Sequence, residues 1–402
     1  MKKILFITFE YPTYTPFGGI AFYYGKVAHF LSKNNFDITV LTAKLDNAGG
    51  VLIENSSCDN LREIYICCED AGDFERRGLD WMLLQSAKYD FLEIPEYGSL
   101  FYNAVTKNLF KNIASKLVIR VHGTTILANI YNQSLFWPRF IIFMYNILFL
   151  NRMFLRILKI LNSQHYPLAK RNFKEYLMVK SADIVTAPSI LMAKFINKYW
   201  LGGKRTVVYP NPGQYDVIDV ERKLFLNNEF KIVYINRLQY LKGFDLYYQL
   251  SKAFLKSSNI RFSAYGSYNQ LNIGFSVEEI RKTVCLKGFI ASNDLIDIYK
   301  ESDVIIIPSR FESFSNVALE AMSFGCLVIV SDNIGMSEHI NHGVNGFIFQ
   351  SGNFKSLHSI FKDILERDPS ELKQISLNAY QTALELSKNI ELLKFYKSIN
   401  SN

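Results

Sequence analysis

The chain has 402 residues, 49% of them hydrophobic and 20% charged, with a formal net charge of +8. That length calls for two or three domains, and that balance for a folded chain with a large core, which excludes a disordered or low-complexity protein. Five cysteines, Cys58, Cys67, Cys68, Cys285 and Cys326, include no C-x-x-C pair. A zinc ribbon and a disulfide scaffold are therefore not expected, and reduced thiols in a cytoplasmic protein are.

The first predicted element is a buried strand, Ile4 to Phe9; its apolar run is too short for a secretory signal and Glu10 breaks it. Phe17-Gly18-Gly19-Ile20 then opens a helix ending near Asn34. Paired glycines let backbone approach a phosphate or sugar closely, although the same pair also serves a plain strand-to-helix turn. Further strands are predicted at Asp37 to Leu41, Glu63 to Cys67, Phe91 to Ile94, Leu117 to Val121, Ile184 to Ala187 and Thr206 to Tyr209. A second series follows at Lys231 to Ile235, Arg261 to Tyr265, Val284 to Lys287, Val304 to Ile307 and Leu327 to Ser331. Strands alternating with helical stretches predict an α/β protein with two doubly wound, Rossmann-like parallel sheets. Ligands of such folds bind beyond the carboxyl ends of the strands, so two halves facing across a cleft would share one site. Pro210-Asn211-Pro212-Gly213 marks the boundary. The expected division is a first domain over 1–212, a linker over 213–228, a second domain over 229–385, and a C-terminal helix over 386–402 that packs back on the first.

The charge is uneven. No acidic residue lies between Glu96 and Glu175, a window with eleven basic ones: Lys107, Lys111, Lys116, Arg120, Arg139, Arg152, Arg156, Lys159, Lys170, Arg171 and Lys174. The window is also greasy, with Phe136 to Leu150 followed by Arg152, Arg156, Lys159 and Ser163 at helical spacing opposite Met153, Phe154, Ile157, Leu158 and Leu161. Its apolar runs fall short of the ~20 residues of a spanning helix. A basic amphipathic insertion at about 131–175 reads as an element lying on an anionic membrane surface, or else as an ordinary helix packed on its own domain. A nucleic-acid patch would carry more solvated cations and less Ile, Leu and Phe, so no nucleic-acid partner is expected.

The chemistry concentrates in the second half. Arg237 and Lys242 leave the strand ending at Ile235, where a guanidinium fork and a lysine point charge suit a diphosphate. Glu312 lies on the loop leaving the strand Val304 to Ile307, and Glu320 lies about a turn inside the next helix. Between them, Ser315, Asn316 and Val317 offer helix-start N–H groups and a positive dipole end. Each residue alone has a bland alternative as a solvated surface charge.

Taken with their neighbours, these segments resemble retaining glycosyltransferases of the family-4 type (glycosyl transferases group 1), which have the GT-B fold. The match runs through Glu312-Ser313-Phe314-Ser315, Glu320-Ala321-Met322 and Gly325-Cys326-Leu327-Val328-Ile329, with serines for two usual glycines and Leu327 for a usual proline. Asn236-Arg237-Leu238 and Lys242-Gly243 resemble the family's G-R-L-x-x-x-K-G, with Asn236 for a glycine. Arg120-Val121-His122-Gly123, Glu96-Tyr97-Gly98, Gly335 to Ile340 and Gly343 to Phe347 also match, Glu96 to Gly98 as a loop on the acceptor side. The resemblance implies transfer of a sugar from a nucleotide-diphosphate sugar to an acceptor hydroxyl with retention, in cell-surface polysaccharide, lipopolysaccharide or glycolipid synthesis. It implies Arg237 and Lys242 on the diphosphate, assisted by amides at Gly18, Gly19 and Ser315 to Val317. It puts Glu320 on the ribose hydroxyls, Glu312 on a sugar hydroxyl, His122 near the reacting centre, and Gly288 and Phe289 near the base. No D-x-D motif ends a strand, so no metal and no bound cofactor are expected. The expected partners are the donor, a glycan or lipid-linked acceptor and an anionic membrane surface, for a protein peripheral on the inner face of the cell membrane. An epimerase or phosphorylase of the same layout, or a non-catalytic glycan-binding relative, are the alternatives.

Overall fold

The computed structural model describes residues 1–14, 18–46, 50–55, 60–85, 88–124, 159, 166–201, 205–213, 229–267, 274–290 and 294–398. The described residues up to Pro212, joined by those from Ile390 onward, form one compact unit, and those from Gly213 to Asn389 form the other. The expected amphipathic insertion lies outside the described residues, apart from Lys159 and the start of the helix Tyr166–Ser181. No helix among the described residues is long and apolar enough to cross a membrane.

The first unit is an eight-stranded sheet of β1 (Lys2–Ile7), β2 (Phe36–Leu45), β3 (Val51–Asn55), β4 (Leu61–Cys68), β5 (Tyr89–Pro95), β6 (Ala114–Arg120), β7 (Ile184–Ala187) and β8 (Val207–Val208), in the order β3-β4-β2-β1-β5-β6-β7-β8. All neighbours are parallel except β3, which pairs antiparallel with β4 at the edge. The sequence pattern missed β3, because a short antiparallel edge strand interrupts the strand–helix alternation on which the expectation rested. The core on one face contains Ile4, Phe6, Val40 and Phe91, and it takes in Leu392, Phe395 and Tyr396 from the helix Ile390–Ser398.

A polar cluster is sealed inside this unit. Glu93, in the middle of β5, is buried and accepts hydrogen bonds from Tyr23 and Tyr396. Arg120 is equally buried, its guanidinium 4.8 Å from the Tyr23 ring and 4.1 Å from the Tyr209 ring, and it donates to the Tyr209 carbonyl and to Asn211. Low dielectric makes an unpartnered charge expensive, and these contacts offset that cost.

The second unit is a wholly parallel sheet of β9 (Phe230–Ile235), β10 (Ile260–Tyr265), β11 (Cys285–Gly288), β12 (Val304–Ile307), β13 (Leu327–Ser331) and β14 (Phe347–Phe349), ordered β11-β10-β9-β12-β13-β14. Its central strands β12 and β13 are buried throughout without alternation because both faces are covered. Ile232, Tyr234 and Ile306 enter the core on one face, and Val233, Ile235, Ile305 and Ile307 enter the core on the other. Three-residue β14 is too short to leave a readable pattern.

Candidate functional site

In the second unit, two loops leave neighbouring strands β9 and β12 and lock together. Gly243 makes this possible. Its φ is +69°, and a Cβ there would lie 1.9 Å from the Pro308 carbonyl oxygen, so only glycine permits the contact. A clamp reinforces it: Arg310 makes a two-pronged pair with Asp245, both bonds 2.7 Å, and its guanidinium stacks 3.5 Å from the centre of the Tyr240 ring. Nothing in the sequence pairs Arg310 with Asp245, which lie 65 positions apart.

This locking carries Lys242 onto Glu312. The Lys242 Nζ lies 2.8 Å from Glu312 Oε1, and the same oxygen accepts from Asn236 Nδ2 at 3.2 Å and from Ser309 Oγ at 2.6 Å. Burial alone would raise the Glu312 carboxyl; Lys242, Ser309 and Ser315 outweigh it and hold it below the usual carboxylate range. The Glu312 backbone is fixed as well, its N–H donating to the Asn333 carbonyl and its carbonyl accepting from Gly335. Asn236, which the sequence registered only as a departure from glycine, is thus a Glu312 partner. Arg237, next along, has its side chain in solvent.

The helix Asn316–Ser323 begins beside this group. Its N-cap, Ser315, has φ +95°, a conformation that glycine adopts without strain. Asn316 and Val317 form the first turn. Glu320 is engaged differently from Glu312: it is buried, its carboxylate accepts from the Tyr299 hydroxyl at 2.7 Å, and burial pushes it up to about 7 against the pull of that bond. Gly288 ends β11 with φ +74°, and the Phe289 ring beside it is 83% exposed.

In the first unit, Gly18 caps the helix Gly19–Ser32 in extended conformation. A Cβ there would meet Glu10 Oε2 at 2.8 Å, so Gly18 serves close approach and not a special φ. His122 follows β6, partly buried, with the Tyr23 ring 4.7 Å away. Burial, reinforced by Arg120, pushes its imidazole well below the usual histidine value, which keeps it neutral. The turn is held by Glu96, whose two carboxylate oxygens each accept a backbone N–H, one from His122 and one from Gly123, both at 2.9 Å. Burial, then the facing Glu175, pushes Glu96 up to about 8, with the two N–H bonds pulling the other way. The sequence singled out Glu96 only for its loop; its grip on His122 is a tertiary contact.

Two α/β units, one wholly parallel and one parallel but for its edge strand β3, give the α/β class of the GT-B fold. Residues 218–382, about two fifths of the chain, match the sequence profile described as Glycosyl transferases group 1. Three curated relatives illustrate the likeness. An uncharacterised glycosyltransferase of Methanocaldococcus jannaschii is 32% identical over 150 residues, 34% of this chain and 38% of that protein. The N,N'-diacetylbacillosaminyl-diphospho-undecaprenol alpha-1,3-N-acetylgalactosaminyltransferase of Campylobacter jejuni is 30% identical over 115 residues, 28% of this chain and 30% of that one. The capsular polysaccharide biosynthesis glycosyltransferase CapM of Staphylococcus aureus is 29% identical over 140 residues, 33% of this chain and 36% of that one. The chain thus spans well under half the length of each. Among solved structures, sucrose-phosphate synthase from Thermosynechococcus elongatus superposes with TM-score 0.71 at 17% identity, covering 99% of this chain and 98% of that one. The E. coli trehalose-6-phosphate protein bound with UDP-2-fluoro glucose does so with TM-score 0.66 at 12% identity, covering 99% and 100%. At those identities the structures establish the fold.

Proposed function

We propose that the protein is a hexosyl-transferring enzyme that moves a sugar from a nucleotide-diphosphate donor to an acceptor hydroxyl, with retention. The observation that carries this reading is the Lys242–Glu312 pair, 2.8 Å apart and largely withdrawn from water at the ends of β9 and β12. As the glycosidic bond breaks, negative charge grows on the departing diphosphate. A lysine already held in place stabilises that charge without reorganisation, and Arg237 adds a second cation. Glu312, kept ionised by Lys242, is an acceptor for a sugar hydroxyl. The N–H groups at Ser315 to Val317, with those at Gly18 and Gly19, are assigned to the phosphates. Glu320, one oxygen held by Tyr299, is assigned to the ribose, Gly288 and Phe289 to the base, and neutral His122 to the sugar.

Names among the relatives, a diphospho-undecaprenol acceptor and a capsular polysaccharide pathway, support a cell-surface glycan or lipid-linked product. They also fit a protein peripheral on an anionic membrane through its basic insertion. The test is incubation with a panel of UDP-, GDP- and ADP-sugars, following release of nucleoside diphosphate. Release from at least one donor, abolished in Lys242→Ala and Glu312→Ala, is expected. Release from none, or undiminished release in both variants, removes the proposal.

A further inference from the structure

A cavity of about 500 Å³ opens within the first unit, lined by residues that follow the carboxyl ends of β1 and β5. That size suits a small-molecule ligand. Phe9, Ile20 and Leu100 give it apolar walls, and the helix Tyr166–Ser181 gives it three cations, Lys170, Arg171 and Lys174. Among the described residues of the lining Glu10 is the one acid, and burial raises its carboxyl, which favours the neutral form.

Three features mark the cations as a built arrangement. Lys170 and Lys174 are four residues apart on one helix, a spacing at which like charges repel. Both line the same cavity, and Lys174 also acts on Glu75, whose carboxyl burial raises and Lys174 pulls down. Arg171 is held from several sides: its guanidinium stacks 4.7 Å from the Tyr97 ring, pairs with buried Glu175 at 3.4 Å, and lies 3.8 Å from where a Cβ on Gly98 would sit. Gly98 itself has φ +80°. Lys174 rests over the Tyr102 ring at 5.2 Å. A guanidinium fixed in this way loses little freedom when it binds a planar or tetrahedral anion.

We propose that this cavity recognises an acceptor carrying a phosphate or diphosphate group. Lys170, Arg171 and Lys174 hold the anion, and the apolar walls hold the carbon skeleton. The proposal rests on the transfer reading above and gives its acceptor a chemical class. It also reassigns three of the eleven cations of the basic window from a membrane face to a ligand.

Isothermal titration calorimetry of the full chain, without donor, tests it. The probes are glucose 6-phosphate, farnesyl diphosphate and, as neutral control, glucose. One or both phosphate probes should bind, more weakly as salt is raised, and about tenfold more weakly in Lys170→Gln/Lys174→Gln, which leaves the Arg171–Glu175 pair in place. Preference for glucose 6-phosphate indicates a soluble sugar phosphate, and preference for farnesyl diphosphate a lipid-linked one. If the double variant unfolds, Lys174→Gln alone and the salt dependence of the wild-type protein give the same reading. The proposal is overturned if no phosphate probe binds, if glucose binds equally well, if the variant binds as the wild type does, or if UDP competes, which would give the cavity to the donor. Nucleoside diphosphate release from the donor panel, measured on the same wild-type preparation, separates the two readings. Release without phosphate binding removes the acceptor assignment alone; phosphate binding without release removes the transfer reading and leaves an anion site.

Discussion

Replacing Lys242 by methionine keeps the length of the side chain and removes its charge. The wild-type pair is close, 2.8 Å, with side chains 15% and 10% exposed. At an effective dielectric of about 20, such charges attract by about 6 kcal/mol, most of which is offset by their desolvation. Removing one partner forfeits the attraction and leaves the other ion stranded, a loss of about 3–5 kcal/mol in buried sites. Asn236 and Ser309 still donate to Glu312, so the low end, about 3 kcal/mol, is expected for Lys242→Met. Lys242→Met/Glu312→Gln removes both charges and should lose only about 1 kcal/mol, about 2 kcal/mol less than the single variant. Urea unfolding by circular dichroism, with hydrogen exchange over 304–323, is the assay. Tryptophan fluorescence would report the wrong half, since Trp81, Trp137 and Trp200 all precede Gly213. The pH dependence adds a second check. The Glu312 carboxyl is lowered in the folded state, so its contribution is complete above the ordinary carboxylate pKa and lost as pH falls through the lowered value. In Lys242→Met that acid limb should move to higher pH. Equal destabilisation in the single and double variants, or a loss below about 0.5 kcal/mol in both, would refute the claim that these charges are coupled and withdrawn from water.

Glu320 should produce the opposite pH trend. Its carboxyl is raised from 4.5 to about 7, so its contribution is present below the unfolded pKa and declines as pH rises from about 4.5 to about 7. Glu320→Gln should flatten the melting temperature across that window, and an unchanged slope would count against the burial argument. Gly243→Ala should lower stability by several kcal/mol and donor turnover by about a hundredfold or more, because a Cβ 1.9 Å from the Pro308 carbonyl must push the Lys242 loop off Glu312. Near-normal turnover with a normal melting curve would show that the loop contact is dispensable. Ser315→Gly should be tolerated and raise the melting temperature by a few degrees through relief of the positive φ; a fall would mean the serine hydroxyl outweighs the backbone strain. Tyr396→Phe leaves Glu93 buried with one donor fewer, a loss of about 1–3 kcal/mol visible in urea unfolding of the first unit.

All twelve strands expected from the sequence are present, and several run longer than their apolar stretches. β2 extends to Leu45, where pairing with β4 continues past the buried residues, and β6 starts at Ala114, paired with Tyr89 of β5. Strands buried on both faces announce themselves as unbroken Val and Ile runs, and this is why β12 and β13 could be read to the residue. The candidate site was legible where one motif carries it: Lys242 and Glu312 were each marked by local residues and a resemblance, although seventy positions apart. Arg310 with Asp245, Asn236 on Glu312, Tyr299 on Glu320 and Glu96 on the His122 turn were not legible, because each joins segments whose spacing follows no period.

The sequence by itself determined the alternation that builds two parallel sheets and the residue types that ring their strand ends, since hydrophobic period and turn chemistry are local. Only the tertiary structure decided what each charge is for. Of the cations in the one acid-free window, Arg120 is sealed between Tyr23 and Tyr209, and Lys170, Arg171 and Lys174 line a cavity. Burial and the approach of distant partners set the energy of a charge, and neither is written in the order of its neighbours along the chain.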